Sequence, residues 1–140
     1  MSKLHTDFCI SSHPENVDKI QYIVNQLAIR YNLSPDIQGN LLLSLTEAVT
    51  NAMRHGNRGD CSKKISISLR SENGSIAVRV SDEGPGFDPN SVPDPTCDER
   101  LEQCGGRGLF IMRNFSDECR FIGGGSTVEM RFHLHQGNTR

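Results

Sequence analysis

No apolar run in this chain is long enough to cross a bilayer, and its opening Met-Ser-Lys-Leu-His lacks the apolar block of a signal peptide. Neither sign of charge dominates. Fifteen Lys and Arg stand against 17 Asp and Glu, a net charge of −2, which argues against a protein built on nucleic-acid or membrane electrostatics. There is no C-x-x-C pair: the five cysteines are odd in number and scattered, and the five histidines show no ligand spacing. A disulfide framework and a zinc site are therefore poor readings, and free thiols in a reducing compartment are expected. Internal repeats, low-complexity tracts and linkers are also missing. With 140 residues, 35% apolar and 23% charged, what remains is one soluble globular domain over residues 1–140, expected in the cytoplasm.

Within that domain the pattern of elements is legible. Residues 4–11 are expected to form a strand. Ser12-His13-Pro14-Glu15 reads as a capping box, with the Ser12 hydroxyl serving an orphan amide and Glu15 reciprocating. Val17, Ile20, Val24, Leu27 and Tyr31 follow at helical spacing as one apolar stripe. A second helix starts at Ser34-Pro35-Asp36, with a Ser cap, Pro in the first turn and an acid at the positive dipole end. Ile37, Leu41, Leu45, Ala48 and Ala52 make its buried ridge. Beside it run Ser44, Glu47, Asn51 and His55, the last three spaced four apart so that they line one edge of the buried face.

Ile65, Ile67 and Leu69 alternate with polar residues, as do Ile76, Val78 and Val80, and Asn73-Gly74 lies between the two runs. That is the signature of a type I′ hairpin. Its register pairs Leu69 with Val78, Ile67 with Val80 and Ile65 with Asp82. Asp82 then continues the core face, a carboxylate where an apolar side chain belongs. Residues 83–106 are rich in Gly, Pro, Asp and Ser, a length and composition typical of lids and binding loops. Residues 109–115 read as a short helix opened by Gly106-Arg107-Gly108. Residues 119–122 and 126–134 read as a second strand pair turned by Gly123-Gly124-Gly125. Parity places Ser126 on the face of Val128, Met130 and Phe132.

Taken singly, the polar exceptions have ordinary explanations. Glu47 and Asn51 suit a solvated helix face, Asp82 suits a carboxylate bonded to backbone amides, and each G-x-G suits a turn. Together they describe a pocket. A carboxylate on a buried face is costly without donors, and the exocyclic amine of a purine would supply one. Gly84 and Gly86 clear side chains from its surroundings. Glu47 and Asn51 offer oxygen ligands suited to Mg²⁺ with attached phosphates. Gly106 and Gly108 at a helix start expose backbone amides to phosphate oxygens.

The segment from Thr46 to Gly56, TEAVTNAMRHG, resembles the N box of the ATPase superfamily shared by gyrase, the ninety-kilodalton heat-shock chaperone, histidine kinases and mismatch-repair proteins. Asp82-Glu83-Gly84-Pro85-Gly86-Phe87 resembles its first glycine box and Gly106-Arg107-Gly108-Leu109 its second. Gly125-Ser126-x-Val128 is similar to the final G-T-x-V element, with Ser for Thr. Within the superfamily the chain most resembles the small anti-sigma-factor serine kinases of bacterial partner-switching systems, over about residues 5–134.

The resemblance implies the Bergerat fold, an α+β two-layer sandwich in which a mixed, largely antiparallel sheet is backed by helices, with a lid at about residues 87–105. It implies ATP and Mg²⁺ as cofactors, with Asn51 on the metal, Asp82 on the adenine amine and Ser126 supporting that contact. Gly84 and Gly86 would shape the base pocket, and Gly106, Arg107 and Gly108 would lie near the phosphates. Glu47 would be the catalytic carboxylate, accepting the proton of a Ser or Thr hydroxyl on an antagonist (anti-anti-sigma) protein. Arg107 either stabilises transferred charge or faces a protein partner, and His55 orients the helix end. The implied partners are a sigma factor, that antagonist and a second copy of the chain in a homodimer, without nucleic acid or membrane. The stretch between Gly86 and Gly106 has no Lys and only Arg100 as a strong base, which favours the alternative of a nucleotide-gated binding module without phosphotransfer.

Overall fold

A computed structural model describes residues 5–85 and 106–134. Its elements in chain order are β1 (His5–Ser11), α1 (Val17–Tyr31), α2 (Pro35–Asn51), β2 (Lys64–Glu72), β3 (Ser75–Ser81), α3 (Gly106–Phe115), β4 (Glu118–Ile122) and β5 (Thr127–His133). The strands form one sheet in the order β1-β2-β3-β5-β4. Every pairing among the described residues is antiparallel. The expected two-layer α+β sandwich is what forms, with the helices on one side of an open sheet.

Period-two alternation fixes which side. Ile65, Ile67 and Leu69 of β2, Ile76, Val78 and Val80 of β3, and Val128, Met130 and Phe132 of β5 all point into one buried cluster. Ile20, Val24 and Leu27 of α1 and Leu41, Leu45, Ala48 and Val49 of α2 close it from above. The hairpin has the expected register, Leu69 opposite Val78 and Ile67 opposite Val80. Asn73 (φ 49°) and Gly74 (φ 81°) are both left-handed, as a type I′ turn requires. Slipping that register by one residue would turn the whole apolar set outward.

Two helix starts differ from expectation. Ser12 is buried and does not cap α1. Its hydroxyl donates to the Lys63 carbonyl (3.1 Å), and it accepts from Asn57 Nδ2 (2.8 Å). A short 3₁₀ turn, Pro14–Asn16, intervenes before α1, and His13 Nδ1 caps it by accepting from the Glu15 amide. The helix α3 begins at Gly106, three residues before the expected Leu109, so the glycines are its first turn and do not precede it.

Candidate nucleotide-binding site

The second helix carries the site because its beginning and its end are both well defined. Ser34 Oγ accepts from the Ile37 amide (3.2 Å), Pro35 occupies the first turn, and Asp36 complements the dipole. Twelve and sixteen residues on from Pro35, Glu47 and Asn51 emerge half-buried on one edge. The first turn of α3 closes onto them. A Cβ built on Gly108 would lie 2.8 Å from Asn51 Nδ2 and 3.0 Å from Glu47 Oε1, so only glycine lets that backbone approach the pair. The amides of the first α3 turn lack intrahelical partners and lie at the positive end of its dipole. Arg107, exposed in that turn, is at the same end.

Beyond Asn51 the helix widens. Ala52–Gly56 forms a π turn, closed by the Asn57 amide donating to the Ala52 carbonyl (2.8 Å). His55 lies in this π turn, so the four-residue spacing of an α-helix does not govern its place relative to Glu47 and Asn51. His55 is exposed, and partial desolvation followed by the charge of Arg54 holds its pKa below the usual imidazole range.

The same π turn delivers Gly56 to Asp82. A Cβ on Gly56 would fall on the Asp82 carboxylate, and one on Gly84 would run into the Gly56 carbonyl. Gly84 donates its amide to Asp82 Oδ1 (2.8 Å). Asp82 sits just beyond β3 and does not pair with Ile65; the β2–β3 ladder ends at Ser66 and Ser81. Its amide donates instead to the Ser126 carbonyl (3.0 Å) on the β5 side. Burial raises the Asp82 pKa, against the hydrogen bond from the Gly84 amide and the charge of Lys63.

Ser126 reaches Asp82 through its backbone, and its side chain goes elsewhere. At φ −83° and ψ −9° it lies outside β5, so strand parity does not govern it, and its hydroxyl donates to the Gly123 carbonyl (3.1 Å). Sequence reasoning also missed Asn57, the residue directly after the N box. Asn57 is 1% exposed; its Nδ2 donates to Ser12 Oγ (2.8 Å) and the Lys64 carbonyl (3.0 Å), and its Oδ1 accepts from the Glu83 amide (2.8 Å). The only sequence hint was an Asn set in a glycine-rich run immediately after the N box.

Gly86, the stretch 87–105 expected to be a lid, Cys97 and Cys104 lie outside the described residues. Cys9 and Cys61 are exposed free thiols, and burial pushes the half-buried Cys119 thiol up to about 11 despite Arg113. Among the described residues no three His, Cys, Asp or Glu side chains gather to hold a metal. A divalent ion at the Glu47–Asn51 edge would need phosphate oxygens to fill its coordination, which is how Mg²⁺ commonly binds with nucleotides. No helix among the described residues is long and apolar enough to cross a membrane.

The Glu47–Asn51 pair at the C-terminal end of α2 thus lies under the glycine-opened first turn of α3, and the Asp82 carboxylate lies against Gly56 in the π turn just beyond it, an arrangement that could receive a nucleotide. Residues 10–132 match the family described as the histidine kinase-like ATPase domain, and the chain belongs to that family. Among its relatives are the serine-protein kinase RsbW of Bacillus licheniformis, 31% identical over 88% of this chain and 81% of that protein, and its namesake in Bacillus subtilis (strain 168), 30% identical over 90% and 83%. The anti-sigma F factor of Geobacillus kaustophilus (strain HTA426) is 31% identical over 95% of this chain and 93% of its own. The solved RsbU and RsbW domains of a Mycobacterium tuberculosis protein share the fold, with a TM-score of 0.66 at 16% identity. That likeness covers 96% of this chain and 33% of the longer one.

Proposed function

We propose that the chain is an ATP-dependent serine/threonine protein kinase that phosphorylates an antagonist protein and sequesters a sigma factor in the cytoplasm. The observation that carries this reading is the convergence of two glycine contacts on one helix: Gly108 on the Glu47–Asn51 pair, and Gly56 on Asp82. The names of the relatives, serine-protein kinase and anti-sigma F factor, support the same reading.

In this reading Asp82 accepts a hydrogen bond from the adenine amine, Gly84 and Gly86 leave room for the base, and Ser126 holds the Asp82 backbone. The amides of Gly106, Arg107 and Gly108 face the phosphates. Asn51 holds Mg²⁺, which when bound neutralises charge on the phosphate oxygens. Glu47 takes the proton from the Ser or Thr hydroxyl of the antagonist. That oxygen bonds to the γ-phosphorus as the bond to ADP breaks, leaving phosphoprotein and ADP. Phosphoryl transfer asks mainly for positioning and charge neutralisation, and residues four apart on one helix are positioned before substrate arrives. The whole chain acts as one domain, with residues 87–105 as its lid and a homodimer as its assembly.

Incubation with γ-labelled ATP, Mg²⁺ and a purified antagonist (anti-anti-sigma) protein that the chain binds tests the proposal. Label should pass to the antagonist with the wild-type chain, and Glu47→Ala should abolish transfer while ATP still binds. No transfer from a wild-type chain that binds both ATP and antagonist would remove the kinase reading. It would leave the nucleotide-gated binding module that the Lys-free stretch between Gly86 and Gly106 favours.

A further inference from the structure

We infer that Asn57 is a positioning residue for base recognition, and that selectivity for an aminopurine depends on its buried carboxamide. The inference rests on the reading of Asp82 as the adenine acceptor. Asp82 lies past the last β2–β3 pair, so on the β2 side the following residue has no strand to bond to. Asn57 fills that gap: its Oδ1 accepts the Glu83 amide at 2.8 Å, as a neighbouring strand carbonyl would. The two amide hydrogens of the same carboxamide are used as well, on Ser12 Oγ and the Lys64 carbonyl, so its orientation is fixed from both ends.

Glu83 completes a ring by accepting the Lys64 amide through Oε2 at 2.5 Å. One side chain therefore joins the end of β1, the start of β2 and the residue after Asp82. Its backbone amide closes the π turn that brings Gly56 against Asp82. The Asp82 carboxylate is thus held from Gly84 on one side and aligned by Asn57 through Glu83 on the other. A buried carboxamide with every donor and acceptor used tolerates no rotation without losing a bond.

A carboxylate fixed in this way distinguishes a 6-amino purine, which donates to it, from a 6-oxo purine, which repels it. Titration calorimetry with ATP and inosine triphosphate reads that ratio. The wild-type chain should prefer ATP, and Asn57→Ala should narrow the preference by about tenfold, the effect of loosening one charge-assisted hydrogen bond. Val24→Ala, a core change in α1 that lowers thermal stability, should leave the ratio as in wild type. A folded Asn57→Ala protein with the wild-type ratio would overturn the inference. Absence of ATP preference in the wild-type chain would instead remove the Asp82 reading, and the inference with it. If Asn57→Ala does not fold, hydrogen exchange on the wild-type protein decides. A slowly exchanging Glu83 amide supports the clamp, and one exchanging as fast as an open-loop amide refutes it.

Discussion

Asp82 is held in a setting that favours its protonated form, and this gives its removal two opposite effects. Its folded pKa is raised above the unfolded value near 3.8, first by desolvation. Its contribution to stability is therefore fully present below that value and is lost as pH rises through the folded pKa. Above the folded pKa the ionised acid costs the free protein stability, so there Asp82→Asn should melt at a higher temperature than wild type in a thermal scan while losing ATP affinity. The two neighbouring glycines separate position from stability. Gly56→Ala meets the end of a side chain, so it should displace the carboxylate and weaken ATP binding with a small change in melting. Gly84→Ala meets the Gly56 backbone carbonyl, so it should also destabilise the fold by about 1–3 kcal/mol, as overpacking does. Denaturant melts and ATP titrations on the two variants check both effects.

Among the elements, α2 does the joining and the sheet supplies the rigid base. The helix-free face of that base has its own lock. Glu129, 2% exposed, accepts from Arg120 Nε (3.1 Å) and Nη2 (2.8 Å), and lies 3.2 Å from Arg79 and 3.3 Å from Arg131. Burial alone would raise its pKa, but these three guanidiniums outweigh it and hold the acid below the usual carboxylate range. The linkage is opposite in sign to that of Asp82. The contribution of Glu129 is present above the unfolded pKa near 4.5 and is lost as pH falls through the lower folded value. Glu129→Gln should cost about 1.5–3 kcal/mol in urea unfolding at pH 7, the scale of hydrogen bonds to a charged group. Below pH 4 the difference from wild type should shrink.

Much of this element layout could be read in advance, for reasons that differ from place to place. The hairpin was legible because alternation and Asn-Gly specify the same register independently. The start of α2 was legible because Ser34, Pro35 and Asp36 agree. The Ser12 capping box failed because a long-range partner, Asn57, took the hydroxyl that local sequence offers to the helix. The π turn at Ala52–Gly56 leaves no periodic trace in five residues, so the sequence read His55 with the spacing of an α-helix that ends at Asn51. Ser126 was assigned a strand parity that its helical backbone does not follow. The glycines at 106 and 108 were rightly placed beside the helix, yet glycine's poor helix propensity hid that they lie inside it. Gly108→Ala tests that placement: its Cβ would press on Glu47 and Asn51, so phosphotransfer should fall by about 10²-fold or more, the range of a displaced catalytic group. ATP binding through Asp82 should persist, and a single-turnover assay with saturating ATP separates the two.

In the whole molecule, two regions distant in sequence meet the C-terminal end of α2 and the π turn that follows it, and in the proposed function the first would be the phosphate end of the site and the second its base end. The four motifs were visible in order in the sequence, but their meeting depends on long-range contacts that no local pattern encodes: Gly84 on Gly56, and Gly108 on Asn51. The most direct test is one calorimetric titration series with ATP, with and without Mg²⁺, on wild type, Asp82→Asn and Asn51→Ala. Wild type should bind one nucleotide per chain, more tightly with Mg²⁺; Asp82→Asn should lose binding, and Asn51→Ala should bind without the Mg²⁺ enhancement. Unchanged ATP affinity in a folded Asp82→Asn protein would contradict the account.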